Sequence, residues 1–278
     1  MAVIFHSKPF RRFVKSKVGL ALPVTFLILL VSTLALITVT YYFAVGNVDM
    51  QSEALKVSTA QQDFVSLDND ILSTLGQPGS SSTIVLSDSG GTTNIQPTSN
   101  ILTINVSDNP NSEQTIFSSP VGQVTYDLPC LGSLDDGFYL AGDSQTITNQ
   151  SGASPGQLYI TDEAQGPQIQ LQYRPTVTYA TAGYENGKTI NDVRIYIINL
   201  NSSLSVSLQG ELPLQISCTN TQLTTETLST NQPENLTITS QLNGANGSVS
   251  IPISSTPDGS MIYIEIVISN VSIERWIQ

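Results

Sequence analysis

The apolar positions of this chain follow two different patterns, which meet near residue 80. Residues 18–45, VGLALPVTFLILLVSTLALITVTYYFAV, form a run of 28 positions without a charged side chain. About 20 helical residues at ~1.5 Å each are enough to cross the hydrocarbon of a bilayer. We therefore predict that this run forms a helix that spans a membrane or lies in the core of a filament.

A second helical pattern follows Gly46 and Asn47, which mark a candidate bend. Apolar or small residues return every three or four positions, as expected for one face of an α-helix. This stripe consists of Met50, Ala54, Val57, Ala60, Phe64, Leu67, Ile71 and Leu75. Gly76 and Pro78 supply a stop signal. We predict one helix over residues 20–75, whose stripe packs either on the protein's own β domain or on neighbouring subunits.

From Thr83 onward the apolar period becomes two, which indicates β-strands. The predicted strands are residues 83–88, 101–107, 121–128, 157–162, 168–174, 192–200, 204–210, 212–218, 236–242, 247–253 and 261–276. Asp88-Ser89-Gly90-Gly91 and Asn243-Gly244 are predicted as tight hairpin turns. The polar stretches 108–120 and 219–235 are predicted as loops.

Many short strands without intervening helices favour an antiparallel sandwich. The predicted fold class is α+β: a long N-terminal hydrophobic and amphipathic helix followed by an all-β antiparallel sandwich ectodomain. The segments are a basic head or leader (1–17), a transmembrane or filament-core helix (18–45), its extracellular amphipathic continuation (46–76) and the sandwich (77–278). A boundary between two smaller β domains near 183–188 is the alternative to one β domain.

Charge is distributed unevenly along the chain. Five of the ten Lys and Arg residues precede the apolar run, whereas the other five and all 22 acidic residues follow it, which gives the later part a formal charge of −17. Positive charge before an apolar span predicts a cytoplasmic N-terminus and an extracellular C-terminal domain. The acidic character argues against nucleic acid as a partner.

The polar chemistry of the predicted ectodomain is sparse. Cys130 and Cys218 are the two cysteines, and they are predicted either to form a disulfide or to stay as buried free thiols. Candidate N-glycosylation sequons begin at Asn105, Asn149, Asn201, Asn235, Asn246 and Asn270. The one histidine, His6, lies in the basic head, so no Ser-His or Cys-His pair is available in the ectodomain. The sequence therefore predicts no enzyme, no cofactor and no metal site.

The N-terminal region resembles a known family. A basic head, the run SKVGLALPVTFLILLVSTLALITVTYYFAV, an amphipathic helix and a β-rich domain are similar to the prepilins of type IV pili, especially archaeal type IV pilins and archaellin-like proteins. This resemblance implies a class III signal peptide that a membrane peptidase cuts after Gly19, which leaves Leu20 as the first mature residue. It also implies a homo-oligomeric filament held together by the N-terminal helix.

Two functional hypotheses follow. In the first, the chain is a structural cell-surface protein, a pilin-like subunit that displays an acidic glycoprotein domain outside the cell. In the second, it is an unprocessed single-pass membrane protein whose β ectodomain binds a partner or a glycan. The two hypotheses differ in the fate of the bond after Gly19 and in what contacts the helix.

Overall fold

The computed structural model describes residues 21–108, 113–129, 137–150, 152–163, 166–201, 203–230 and 235–276. One helix, α1, extends over Ala21–Thr74 and continues through Gly46. Pro23 lies in the first described turn of the helix, and proline is tolerated near the N-terminal end of a helix. Gly76, which has a left-handed backbone conformation, follows the last turn of the helix. The Ser80 hydroxyl donates to the carbonyl oxygen of the last helical residue, Thr74, at 2.5 Å.

Thirteen strands follow the helix in the described part of the chain. They are β1 (Ser81–Leu86), β2 (Thr92–Ser107), β3 (Glu113–Asp127), β4 (Phe138–Ala141), β5 (Gly156–Glu163), β6 (Gly166–Tyr173), β7 (Thr176–Glu185), β8 (Lys188–Asn199), β9 (Val206–Gln209), β10 (Leu212–Thr230), β11 (Asn235–Leu242), β12 (Ala245–Pro252) and β13 (Ser260–Arg275).

The strands form two sheets. The five-stranded sheet has the order β1-β10-β13-β8-β7, and the eight-stranded sheet has the order β12-β11-β2-β3-β6-β5-β4, with β9 paired to β2. Every described pair of neighbouring strands is antiparallel except β8 and β13, which are parallel. The predicted class, a long helix followed by a β sandwich, is confirmed.

The apolar residues of both sheets form two buried clusters. One cluster joins the C-terminal part of α1 to both sheets, with Phe64, Val124 and Ile216 among its members. The other contains residues of both sheets and no helical residue, for example Ile104, Ile195 and Ile264. The chain divides into two units, Met1–Ser52 and Glu53–Gln278, so the last part of the helix belongs to the β-containing unit.

Several local predictions are corrected by the pairing of strands. Residues 219–230 are not a loop, because they continue β10 along the whole length of β13. Residues 113–120 are likewise strand, paired to β2, while 109–112 and 231–234 lie outside the described residues. Both stretches are rich in Ser, Thr and Gln, so they lack the apolar alternation that identifies a strand even though Thr suits one. Strands β4 and β7 were also missed.

One predicted turn is confirmed and the other is wrong. Asn243 and Gly244 connect β11 to β12 with φ of 49° and 77°, as a two-residue hairpin turn requires. Residues 88–91 instead connect β1 of one sheet to β2 of the other. Asn186 and Gly187 form a second two-residue turn between β7 and β8, so the suggested boundary at 183–188 falls inside a hairpin.

Candidate membrane helix and its attachment to the β domain

The apolar side chains of α1 between residues 24 and 50 are exposed along the helix. Phe26, Leu36 and Phe43 have 68%, 65% and 73% of their surface accessible. Among the described residues, α1 is the one helix that is long and apolar enough to cross a membrane, and none of its most apolar stretch is buried. Water is a poor solvent for such a surface, so this segment needs hydrocarbon or other apolar protein around it.

Four hydroxyl groups of the same segment bond within the helix. The Ser32, Thr38 and Thr40 hydroxyls each donate to the carbonyl oxygen four residues earlier, at 2.7, 2.8 and 2.8 Å. Thr33 donates to the Leu29 carbonyl oxygen in the same way. A hydroxyl bonded to its own helix needs no water. These four polar side chains are therefore compatible with an apolar surrounding.

Three aromatic residues stand at the C-terminal end of the apolar run. Tyr41, Tyr42 and Phe43 are all exposed, and the rings of Tyr41 and Tyr42 meet edge to face with centroids 6.4 Å apart. Asp49 and Glu53 follow within ten residues. Tyrosine has an apolar ring and a polar tip, and it is enriched where a helix leaves a membrane. This order of residues fits a helix that enters water near residue 46.

The predicted stripe divides into an exposed part and a buried part. Its first two members, Met50 and Ala54, are exposed. The next five, Val57, Ala60, Phe64, Leu67 and Ile71, are buried in the cluster that α1 shares with the sheets, and Leu75 packs against that cluster while partly exposed. Within the described residues, the buried members thus contact the protein's own β domain.

Phe64 occupies the centre of this attachment. It is 1% exposed, and its ring centroid lies 5.9 Å from that of Tyr126 on β3. The Tyr126 hydroxyl accepts a hydrogen bond from the Gly91 N–H at 2.8 Å. Gly91 has no room for a side chain, since a Cβ there would lie 2.1 Å from the Asp127 carbonyl oxygen. The loop between β1 and β2 is thereby fixed beside the helix.

Two aspartates of α1 add polar contacts to the β domain. Asp63 accepts a hydrogen bond from the Ser87 N–H through Oδ2 at 2.6 Å. Asp68 is buried and accepts one from the Tyr173 hydroxyl through Oδ1 at 2.8 Å. The backbone of Gly156 packs against the Asp68 carboxylate so closely that a Cβ would lie 2.5 Å from Oδ1. These contacts fix the rotation of the helix more narrowly than apolar packing alone.

Burial changes the acid-base behaviour of the pair formed by Asp68 and Tyr173. Burial raises the pKa of Asp68, and the hydrogen bond from Tyr173 opposes that rise. Burial, together with the neighbouring Asp68 carboxylate, raises the pKa of Tyr173 well above its ordinary value. Burial therefore disfavours ionisation of Asp68 in the folded chain relative to the unfolded chain.

These two aspartates were not among the predicted site residues. The available signal is the position of Asp68 four residues after Phe64 and three before Ile71, which places a carboxylate on the apolar face. A charge on such a face calls for a buried partner, which the chain supplies 105 positions later. No spacing in the sequence identifies Tyr173 as that partner.

A second polar cluster fixes the loop between β4 and β5. The buried Arg174 side chain forms an ion pair with Asp143, and its Nε and Nη2 donate to the Ser154 carbonyl oxygen at 3.2 and 3.1 Å. The guanidinium holds the pKa of Asp143 below its usual range. In the described residues, no group of three or more His, Cys, Asp or Glu side chains is arranged to hold a metal ion.

The other predicted site residues are scattered. Gly19, Leu20 and Cys130 lie outside the described residues, whereas Cys218 is a buried free thiol. The sequon asparagines Asn149, Asn201, Asn235 and Asn246 are exposed. Asn105 is half-buried and donates to Glu113, and Asn270 is buried and donates to the Asn220 side-chain oxygen at 2.6 Å.

Comparison of the chain with protein-family models, with curated proteins and with solved structures gives no match.

Proposed function

We propose that this chain is a structural cell-surface protein whose apolar helix lies in a membrane or a filament core and carries an acidic β domain outside the cell. The observation that carries this proposal is the exposed apolar surface of α1 between residues 24 and 50. The internally bonded hydroxyls and the aromatic end of that segment support the same environment. The proposal includes no catalytic role and no nucleic-acid partner.

The finer form of the proposal is a pilin-like subunit that is cut after Gly19. In this form the mature chain begins at Leu20, directly before the described start of α1 at Ala21. Helix contacts between copies then fall on residues 21–52, because the stripe from Val57 to Ile71 is already occupied by the protein's own β domain. The filament is held by the apolar run and the β domains face solvent.

The same occupied stripe favours the second candidate, a single-pass anchor that keeps its N-terminus. A helix whose stripe is buried from Val57 to Ile71 inside its own chain needs no neighbour on that part of its surface. In that case lipid alone surrounds residues 24–45, and the β domain acts as a displayed module that binds a partner or a glycan. The two candidates share the membrane helix and the orientation, with the basic head in the cytoplasm.

The mass of the protein recovered from cells that express the whole sequence discriminates between the candidates. For the unaltered sequence we expect a mature chain that begins at Leu20. The Gly19→Val variant should keep its basic head, because the peptidase requires a small residue before the cut. Ala44→Val is the control, since it alters a small residue inside the run and should leave processing unchanged. An intact N-terminus in the unaltered chain contradicts the pilin-like form and supports the anchor. Recovery of the intact chain from the soluble fraction contradicts both.

A further inference from the structure

One edge of the five-stranded sheet is covered along only half of its length. β1 pairs with β10 from Leu212 to Ser217, and the Gly79 and Ser80 backbones extend this pairing to Cys218. Beyond that residue, among the described residues, Asn220–Thr230 pairs with β13 on one side and with nothing on the other. An edge strand of eleven residues directs about five N–H groups away from its sheet.

This open edge lacks the features that usually protect an edge strand. The segment NTQLTTETLST contains no proline and no lysine, and Glu226 is its one charged residue. Seven consecutive residues, 219–225, are exposed on both faces of the sheet, and Leu223 has 63% of its surface accessible. The register shift of β10 falls at Cys218 and Asn220, before the open stretch rather than within it. The strand is therefore accessible to another strand along its length.

The opposite edge of the same sheet is formed by β7 and is also open. The Thr148 backbone covers its first two residues, and no other described strand pairs with the outer side of β7. Residues 178–182 are exposed, and Glu185 is the single charged residue of this strand. β7 and β10 have the same direction, because β7 is antiparallel to β8, β8 is parallel to β13, and β13 is antiparallel to β10.

We propose that the open part of β10, residues 220–230, pairs with the β7 edge of a second copy of this chain, so that the five-stranded sheet continues from one subunit to the next. The open part of β7, residues 178–185, is shorter than that of β10 and has a register shift at Thr181 and Gly183. Two free edges of equal direction can meet when copies are related by a shift along the sheet, which gives parallel pairing. Such a head-to-tail contact does not close on itself and can repeat along an assembly.

The low charge of the two edges allows a second copy to be the partner. The chain after the apolar span is strongly acidic, so its copies repel one another over most of their surface. The two edges carry one acid each, so their pairing brings few like charges together. The inference deepens the proposed function, because it names the contact through which displayed β domains of neighbouring subunits associate.

Disulfide cross-linking between full-length copies tests the pairing. Thr225→Cys and Ala180→Cys are placed in separate, differently tagged chains, since both residues are exposed and lie on the two edges. The chains are mixed at high density in lipid vesicles or filaments and oxidised. We expect a cross-link between the two variants. Gln241→Cys, on β11 with paired strands on both sides, is the matched control and should give no cross-link with either.

The outcomes separate this inference from the proposed function. A Leu34→Cys variant reports contact between helices in the same samples, because Leu34 is exposed within the apolar run. Helix cross-links without the edge cross-link overturn the inference and leave the pilin-like form standing. Edge cross-links without helix cross-links support the inference and contradict a helix-cored filament. Cross-links of Thr225→Cys only with itself, or no edge cross-link at all, overturn the proposed pairing.

Hydrogen exchange supplies a measurement that needs no substitution. Amides of residues 220–230 that face away from β13 exchange freely in dispersed subunits and become hydrogen-bonded in the proposed contact. We expect slowing by at least about tenfold on assembly, because exchange from a paired strand requires local opening. Equal exchange in dispersed and assembled chains overturns the inference.

Discussion

Replacement of Phe64 by alanine tests whether the C-terminal part of α1 is held by the β domain as strongly as its burial indicates. The ring is 1% exposed and packs against Tyr126 in the cluster that joins helix and sheets. Deletion of a buried phenylalanine side chain costs about 3–5 kcal/mol, which includes the cavity that remains. The higher helix propensity of alanine returns about 0.5 kcal/mol. We therefore expect Phe64→Ala to lower the free energy of unfolding by about 2.5–4.5 kcal/mol.

Urea denaturation of the full chain in detergent micelles measures this loss. Trp276 is the single tryptophan, and its backbone N–H donates to the Pro213 carbonyl oxygen at 2.9 Å. This bond attaches Trp276 to β10, so its fluorescence reports on the unit that contains residues 53–278. Val65→Ala is the control, because Val65 is the next residue along the helix and is 37% exposed. Its expected effect is within about 1 kcal/mol. Equal denaturation midpoints for the two variants would refute the proposed attachment of the helix.

Two further predictions concern single polar residues. Burial raises the pKa of Asp68 above the ordinary aspartate value of about 4. Between these two pKa values the folded chain binds more protons than the unfolded chain. The free energy of unfolding therefore increases as the pH falls through this window. Asp68→Asn should remove this increase, measured as urea midpoints at pH 7 and pH 4; an unchanged pH dependence would contradict the burial of an ionisable carboxyl. Glycopeptide mass spectrometry should find no glycan on Asn270, even if exposed sequons are modified. The reason is that Asn270 is buried and its side chain is hydrogen-bonded to Asn220. A glycan on Asn270 would be inconsistent with the fold.

The sequence predicted those elements whose information is local. The helix is marked by an uncharged run and a stripe with helical spacing, and its end by Gly76. The hairpin at Asn243 and Gly244 depends on two residues that tolerate positive φ. Most strands with an apolar and a polar face were found because each covers a core on one side.

The missed features depend on residues that are distant in the sequence. The second half of β10 is polar on both faces, and it is a strand because β13 provides backbone partners along its whole length. The parallel pairing of β8 with β13 follows from the arrangement of the whole sheet and has no local signal. The same holds for the Asp68–Tyr173 contact, since a sequence shows that a carboxylate stands on an apolar face but not which hydroxyl will meet it.

The central position of β13 has a consequence for the order in which the protein can fold. This strand, near the C-terminal end of the described chain, lies between β10 and β8, and Arg194 of β8 bonds to Glu265 of β13 across 71 residues of chain. Pairing between residues so far apart in sequence is slow, because the intervening chain must first be ordered. During synthesis, β8 emerges before its partner and stays without it. The five-stranded sheet therefore closes only after residues 260–275 have been made, so the native state of the domain depends on the last strand of the described chain.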